Sequence, residues 1–463
     1  ALWDEGGRLN PGILVDPAPF TLDLRRPRPT TLPPFVPGLA FEADGGDVRS
    51  AVERCIGVGR CVSTQDHALL CPSYRATGEE RYSTRGRARL LQEMVAGSLV
   101  DEGWRSREVH EALDLCLSCR ACLSDCPTGV DMASYKSEVL HQRYRGRLRP
   151  RSHYLLGRLP RWLRLVRRVP AGARALNAIT GFGPSRRLAA FAGGMAGDRR
   201  IPRLAPRTFR DAFAHPAPAT PYRGQVLLWP DTFTEHLAPE VGRAAVRVLA
   251  AAGFDVALPG ADVCCGLTWT TTGQLDGAKA VLARTLDAPG VGDGRDPIVV
   301  LEPSCAASLR LDLPELLPHD PRARAVAGRV TTLAELLDGA GWSPPDGEPL
   351  DALVQPHCHH QAVLGTAADT RLMAAAGIAP KRVLSGCCGL AGNFGAEAGH
   401  ERITRQVAEL ELLPALRETD AGTAILADGF SCRTQIAFLD GRRARHLAEV
   451  LADRLDGPGA GPT

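Results

Sequence analysis

The sequence predicts a multidomain fold: a small all-α segment organised by clustered cysteines, then two α/β units of one design packed as a pseudo-twofold pair. Three observations lead there. Cysteines crowd between residues 51 and 150 among helix-period patterns, short apolar runs alternate with helical segments from Gly224 onward, and that β-α-β rhythm occurs twice.

The 463 residues are 44% hydrophobic and 23% charged, ordinary globular values that exclude wholesale disorder and fibrous classes. No run of about 18 apolar residues occurs, so no transmembrane helix is expected. The chain opens Ala1-Leu2-Trp3-Asp4, without Met and without the basic-then-apolar start of a secretory leader, and residue 1 reads as a cut inside a longer product. Fourteen Cys in tight sets do not suit pairwise bridging, which points to a reducing compartment and thiolate–metal chemistry. The expected location is cytoplasmic, with peripheral contact at the inner membrane face left open.

Charge is uneven. Residues 141–210 hold eighteen Arg and one acid, Asp198, or about +17, against +3 for the whole chain. The chain has 52 Arg and only three Lys (Lys136, Lys279, Lys381), which reads as a composition bias, so phosphate recognition is not inferred and nucleic acid is not an expected partner.

Residues 1–50 carry Pro11, Pro17, Pro19, Pro27, Pro29, Pro33, Pro34 and Pro37 with no sustained period and read as an extended linker. In residues 51–150, helical patterns at Arg85–Val95 and Arg107–Leu115 alternate with Cys-bearing loops, suggesting a domain whose core is metal rather than apolar side chains. Residues 151–223 are a basic connector in which Leu155, Leu159, Trp162 and Leu165 stand among arginines, suited either to solvent or to a membrane face. Residues 224–345 and 346–463 form the two repeats. Val226–Trp229, Cys264-Cys265-Gly266, Ile298–Leu301 and Cys305 find counterparts in Leu353–Gln355, Cys387-Cys388-Gly389, Ile425–Ala427 and Cys432, with offsets of 123 and 127 residues between the Cys positions.

Cys116-x2-Cys119-x2-Cys122-x3-Cys126-Pro127 is the bacterial ferredoxin run, whose fourth Cys serves the other cluster. A structural zinc site would want two separated CxxC pairs. Upstream, Cys55, Cys61 and Cys71-Pro72 form an imperfect copy with Val58 where a ligand belongs. By the crossing rule Cys116, Cys119, Cys122 and Cys71 bind one [4Fe–4S] cluster, while Cys55, Cys61 and Cys126 supply three ligands to a second. The second site is either [3Fe–4S], which Val58 favours and which resembles the three-iron motif of succinate dehydrogenase iron–sulfur subunits, or [4Fe–4S] with Asp66 or His67 as the non-Cys ligand. The segment is therefore expected to be an all-α, two-cluster ferredoxin-like domain.

Vicinal Cys-Cys is uncommon, and two Cys-Cys-Gly doublets call for a chemical reason. Cys358, Cys387, Cys388 and Cys432 would bring four thiolates to one end of a sheet, and Gly266 and Gly389 would let backbone amides approach the sulfurs. The first repeat has Thr232 in place of Cys358 and keeps Cys264, Cys265 and Cys305, which leaves it empty, sharing ligands with its partner, or a redox-active thiol site. His357, His359, His360 and His400 read as structural histidines, with hydrogen bonding to a cluster or substrate as the alternative.

The segments Asp262-Val-Cys-Cys-Gly266, Ser385-Gly-Cys-Cys-Gly-Leu-Ala-Gly-Asn-Phe-Gly395 and Asp428-Gly-Phe-Ser-Cys-Arg-Thr-Gln-Ile436 resemble the cysteine-rich CCG domain of heterodisulfide reductases and glycolate oxidase iron–sulfur subunits. Cys71-Pro-Ser-Tyr74, Ser83-Thr-Arg-Gly-Arg-Ala88 and the ferredoxin run resemble the C-terminal half of FAD-linked 2-hydroxyacid dehydrogenases. Residues Leu2–Gly12 are similar to the end of the FAD-linked oxidase domain. The resemblance implies a D-2-hydroxyacid (D-lactate, glycolate or D-2-hydroxyglutarate) as hydride donor to FAD on a missing domain or partner. Electrons then leave through iron–sulfur clusters to an acceptor such as quinone. Cys432 is followed by Arg433-Thr434-Gln435 where the reductase pattern has Cys-x-x-Cys, which favours one four-thiolate cluster in repeat two. The rival readings are a thiol–disulfide reductase of the heterodisulfide type and a zinc-stabilised scaffold or regulator.

Overall fold

The computed structural model describes Pro17, Leu32 and residues 34–63, 70–97, 100 and 102–456. The Leu2–Gly12 resemblance and the rescuing ligands Asp66 and His67 lie outside the described residues. Between Glu42 and Arg143 the described elements are all helical, among them Val48–Val52, Thr84–Ala96, Arg107–Asp114 and Met132–Arg143. Ser83 caps the second of these through the Gly86 N–H, Ser106 the third through the Val109 N–H, and Asp131 the fourth through the Ser134 N–H.

Two expectations are corrected here. The helical segment does have an apolar core, because Ala51, Val52, Leu91, Met94, Leu113 and Met132 are buried together. Its apolar residues are spread over four helices, so no short window of sequence displays them as one stripe. The end of the proline-rich segment is also not a free linker: Leu39 and Phe41 are buried, and the Gly38 and Leu39 N–H groups donate to the Glu138 carboxylate.

The connector folds as helices Arg151–Leu155, Leu159–Arg168, Gly172–Gly181 and Gly183–Gly193. Leu165, Ile179, Phe182, Leu188 and Phe191 on or between them are exposed.

The remainder contains two small parallel sheets. Strands β1 (Gly224–Trp229), β2 (Phe254–Ala257), β3 (Ile298–Val300) and β4 (Val330–Thr331) lie in the order β2-β1-β3-β4, with Val226 opposite Val256 and Leu228 opposite Val299. Strands β5 (Leu350–Val354), β6 (Ile378–Val383) and β7 (Ala424–Leu426) lie in the order β6-β5-β7, with Leu353 opposite Ile425. Leu426 makes one further parallel bridge to Arg445, where β4 stands in the first sheet. The two units thus share one strand order, with the first strand central in each. Pro380, which lacks an N–H, sits on the edge strand β6. Helix Pro239–Ala251 of the first unit packs on Leu447–Leu455 of the second. A single apolar cluster runs from the helical segment through Trp269, Leu282 and Leu309 to Cys358 and Cys387, so the cysteine-bearing loops share one core.

Candidate metal centres

The cysteines of the helical segment sit at helix ends. Cys71 precedes Pro72 at the start of helix Pro72–Thr77, Cys122 lies in Ala121–Asp125, and Cys126 closes that helix. Ser118 and Arg120, on either side of Cys119, have φ of 54° and 61°, and Cys71 itself has φ of 51°. Non-glycine residues in the left-handed region are costly and persist where the surroundings over-determine them. Here they curl the chain so that thiols three residues apart face one point.

The thiols of the helical segment divide into two sets, bridged by Cys71, which lies within charge range of both Cys61 and Cys116. Cys122 lies within charge range of Cys119, Cys71 and Cys116. Cys55 lies within charge range of Cys61 and Cys126. The first group is buried and the second only partly. Burial pushes the Cys71 thiol up to about 11, and burial likewise raises Cys119 and Cys122. Donors are already aimed at sulfur: the Thr84 N–H lies 2.9 Å from Cys71 Sγ, and the Arg85 N–H 3.3 Å from Cys61 Sγ. Val58, at the position where the imperfect run lacks a Cys, is 58% exposed.

In repeat two, Cys358, Cys387, Cys388 and Cys432 are all buried, and their thiols form a continuous chain of sulfur contacts in that order. The protons are shared unevenly. Hydrogen bonds from Cys387, assisted by His357, hold Cys358 low, and bonds from Cys387 and Cys432 hold Cys388 low, while Cys387 and Cys432 are pushed up. Burial pulls His357 down most strongly, but the Cys358 charge and hydrogen bond together with the charges of Glu302 and Cys388 raise it to about 9. Four sulfurs at this closeness carry negative charge that a metal centre would neutralise.

Repeat one repeats the backbone but not the thiol count. The amides of Gly266 and Leu267 approach Cys264 and Cys265, as those of Gly389 and Leu390 approach Cys387 and Cys388. Gly389 has φ of 87°, and a Cβ there would lie 2.2 Å from the Thr404 carbonyl oxygen, so both backbone and space demand glycine. Cys265 and Cys305 are brought together at 3.0 Å between sulfurs. Thr232 begins helix Thr232–His236, in the place of Cys358.

A cavity of about 70 Å³ joins these sites, lined among others by Leu117, Ser118, Thr232, Cys264, Cys265, Cys305, His357, Cys358 and His359. The helical segment closes one side. Cys119 lies within charge range of Cys358, and His359 Nε2 is 2.9 Å from the Ser118 carbonyl oxygen. Two further ties span the units: His400 Nε2 lies 3.0 Å from Asp114 Oδ2, and buried Arg120 pairs with Asp131 at 2.7 Å and with Asp312 on the helix that carries Cys305.

Of the four histidines, His400 is satisfied at both nitrogens, by the Phe394 carbonyl and Asp114. His357 Nδ1 accepts from the His359 N–H and stands 4.0 Å from Cys358 Sγ. His359 Nδ1 and His360 Nε2 are buried with no hydrogen-bond partner. The motifs did not single out Arg120, although it lies inside the ferredoxin run, and Asp114 and Asp312 belong to no quoted motif.

Residues 51–130 match the family described as a 4Fe-4S dicluster domain, and residues 231–310 that described as a cysteine-rich domain, the latter falling on repeat one. The chain is similar to D-2-hydroxyglutarate dehydrogenase of Pseudomonas putida, 26% identical over 497 residues that cover 97% of this chain and 48% of that protein. It is 25% identical to the glycolate oxidase iron-sulfur subunit of Escherichia coli, over 90% of this chain and 96% of that relative. It is also 26% identical to one of the subunits of the anaerobic glycerol-3-phosphate dehydrogenase of Escherichia coli, over 61% of this chain and 72% of that relative. These relatives are dehydrogenases and oxidases, hence oxidoreductases, and the resemblance carried by the cysteine motifs extends over most of the chain. The chain spans about half the length of the D-2-hydroxyglutarate dehydrogenases it matches. No solved structure matches it.

Proposed function

We propose that this chain is the iron–sulfur electron-transfer portion of a flavin-linked 2-hydroxyacid dehydrogenase, working with FAD on a preceding domain or a partner subunit. The observation that carries the reading is the closeness of the two thiol territories, Cys119 within charge range of Cys358 under the His359–Ser118 tie. Cys71, Cys116, Cys119 and Cys122 would hold a [4Fe–4S] cluster. Cys55, Cys61 and Cys126 would hold [3Fe–4S], or [4Fe–4S] with a non-Cys ligand, and Cys358, Cys387, Cys388 and Cys432 a further cluster. Cys264, Cys265 and Cys305 form a three-thiol site without its fourth ligand. When bound, such groups supply one-electron redox chemistry. The chain's own part is to bury the sulfurs, aim the Thr84, Arg85 and Gly389 amides at them, and keep the two territories in register.

The shared strand order and matched amide contacts support a pseudo-twofold pairing of the repeats. Exposed Leu165, Phe182, Leu188 and Phe191 among the arginines of residues 141–210 support docking on an anionic membrane, with quinone as acceptor. No described helix is long and apolar enough to cross one.

The deciding experiment is anaerobic purification of the full chain with iron, zinc and acid-labile sulfide counts, then mixing with the flavin partner and a D-2-hydroxyacid. Brown protein with matching iron and sulfide, bleached by the hydroxyacid only when the flavin partner is present, supports the proposal; zinc without sulfide ends it. A second reading, thiol–disulfide reduction, is favoured by the 3.0 Å approach of Cys265 and Cys305. It requires a thiol-dependent turnover that Cys305→Ser abolishes with the iron content unchanged.

A further inference from the structure

Repeat two holds a second cavity, of about 40 Å³, lined by Gln355, His357, His360, Asp369, Thr370 and Asp428 among others, with no Lys or Arg in its lining. His360, Asp369 and Asp428 each present one ligand atom to it, and those atoms lie within 4.8 Å of one another. His360 is 4% and Asp369 8% exposed. His360 Nε2 and Asp369 Oδ2 stand 3.0 Å apart as an ion pair, out of line for a well-formed hydrogen bond and with no other polar partner. Buried polar atoms are nearly always bonded, and two that stand side by side without bonding are placed like ligands turned toward a shared third partner. Asp428 Oδ1 accepts from the Leu447 N–H at 2.8 Å, which fixes the carboxylate while its other oxygen stays available. Gln355, 1% exposed, adds a further acceptor, since its side-chain oxygen also has no partner.

Arg433, which donates to the Ala427 and Asp428 carbonyls, offsets part of the Asp428 charge, but two carboxylates facing one imidazole keep a buried surplus of negative charge that a divalent ion relieves. The donor set of one imidazole and two carboxylates, without sulfur, suits zinc, bound to nitrogen and oxygen at about 2.0–2.2 Å. The ligands come from three separate pieces: His360 is two residues beyond Cys358, Asp428 is four residues before Cys432, and Asp369 lies in helix Ala367–Ala375. In repeat one the matching positions are Thr234 and Leu301, so the site exists only in the repeat that has four thiols.

We propose that His360, Asp369 and Asp428 form a mononuclear zinc site that fastens the Cys358 loop to the Cys432 loop. It is distinct from the thiol groups and does not depend on what those thiols bind.

The test is zinc, iron and sulfide analysis of the full chain, purified anaerobically, exposed to Zn²⁺ and desalted. Wild type should retain about one zinc per chain. Asp369→Asn and His360→Gln should lose it with the iron and sulfide of the helical segment unchanged, while Cys358→Ser should keep it. Absence of zinc from wild type, or loss on Cys358→Ser with retention on Asp369→Asn, overturns the proposal. Should the Asp369 and His360 variants fail to fold, zinc-edge X-ray absorption of wild type decides: a shell of nitrogen and oxygen alone supports the site, and sulfur at about 2.3 Å refutes it.

Discussion

His359 Nε2 donates to the carbonyl oxygen of Ser118 across 2.9 Å, joining the residue after Cys358 to the residue before Cys119. Burial keeps the imidazole below its ordinary protonation range, so the neutral ring has one N–H, and the carbonyl claims it. The bond connects positions 241 residues apart and holds two thiol groups at a fixed separation.

Replacing His359 by Ala should therefore leave a buried carbonyl without its donor, at a cost of about 1–3 kcal/mol. Denaturant midpoints of wild type, His359→Ala and His359→Gln check this. Gln can still donate and should recover part of the loss, whereas equal midpoints for all three would show that the tie contributes nothing.

Val58 occupies the ligand position in the imperfect cysteine run and is 58% exposed, so Val58→Cys should fold with a change of less than about 0.5 kcal/mol. If the site holds [3Fe–4S] rather than [4Fe–4S] with a non-Cys ligand, the three-iron electron paramagnetic resonance signal of the oxidised wild type should vanish with the fourth thiolate and iron rise by about one per chain. A wild type with no such signal would contradict the three-iron reading and leave [4Fe–4S] with a non-Cys ligand.

Arg120 is buried between Asp131 and Asp312, and those carboxylates hold its charge in place against the cost of burial. Removing one partner of such a pair costs about 3–5 kcal/mol because the other is stranded. Arg120→Met should accordingly melt well below wild type, and adding Asp312→Leu should restore part of the difference. A double variant less stable than the single would mean that the pair is worth more than its burial costs.

How much of this could be read from the chain follows from the range of each interaction. The clustering of Cys116, Cys119, Cys122 and Cys126 was legible because the run repeats at intervals of a few residues, and that spacing is what supports the proposed sorting with Cys71 on one side and Cys55 and Cys61 on the other. The duplicated sheets were legible because the apolar runs around Val226 and Leu353 repeat with the same order of elements. The helical core was not, since Leu91, Leu113 and Met132 meet only after four helices pack. The ties Arg120–Asp312 and His400–Asp114 were hidden for the same reason, being 192 and 286 residues apart in sequence. Asp369 belongs to no motif, and only its place beside His360 gives it meaning.

The His400–Asp114 pair makes the junction of the units pH-dependent, with a sign that can be worked out. Burial opposes the charge on both partners, but the mutual hydrogen bond and attraction win, holding Asp114 at about 2 and raising His400. The carboxylate's contribution is therefore present above about pH 4 and is lost as pH falls toward 2. The imidazolium's contribution is complete below about pH 6.5 and is lost as pH rises through the higher value that His400 has in the folded chain. Stability from the pair peaks between those limits. Melting temperatures of wild type and Asp114→Asn at pH 5.5 and pH 9 should differ more at the lower pH. Because the Asp114 side chain is 48% exposed, 0.5 M salt should narrow the gap at pH 5.5. An equal gap at both pH values would mean that the two groups are not charged together in the folded protein.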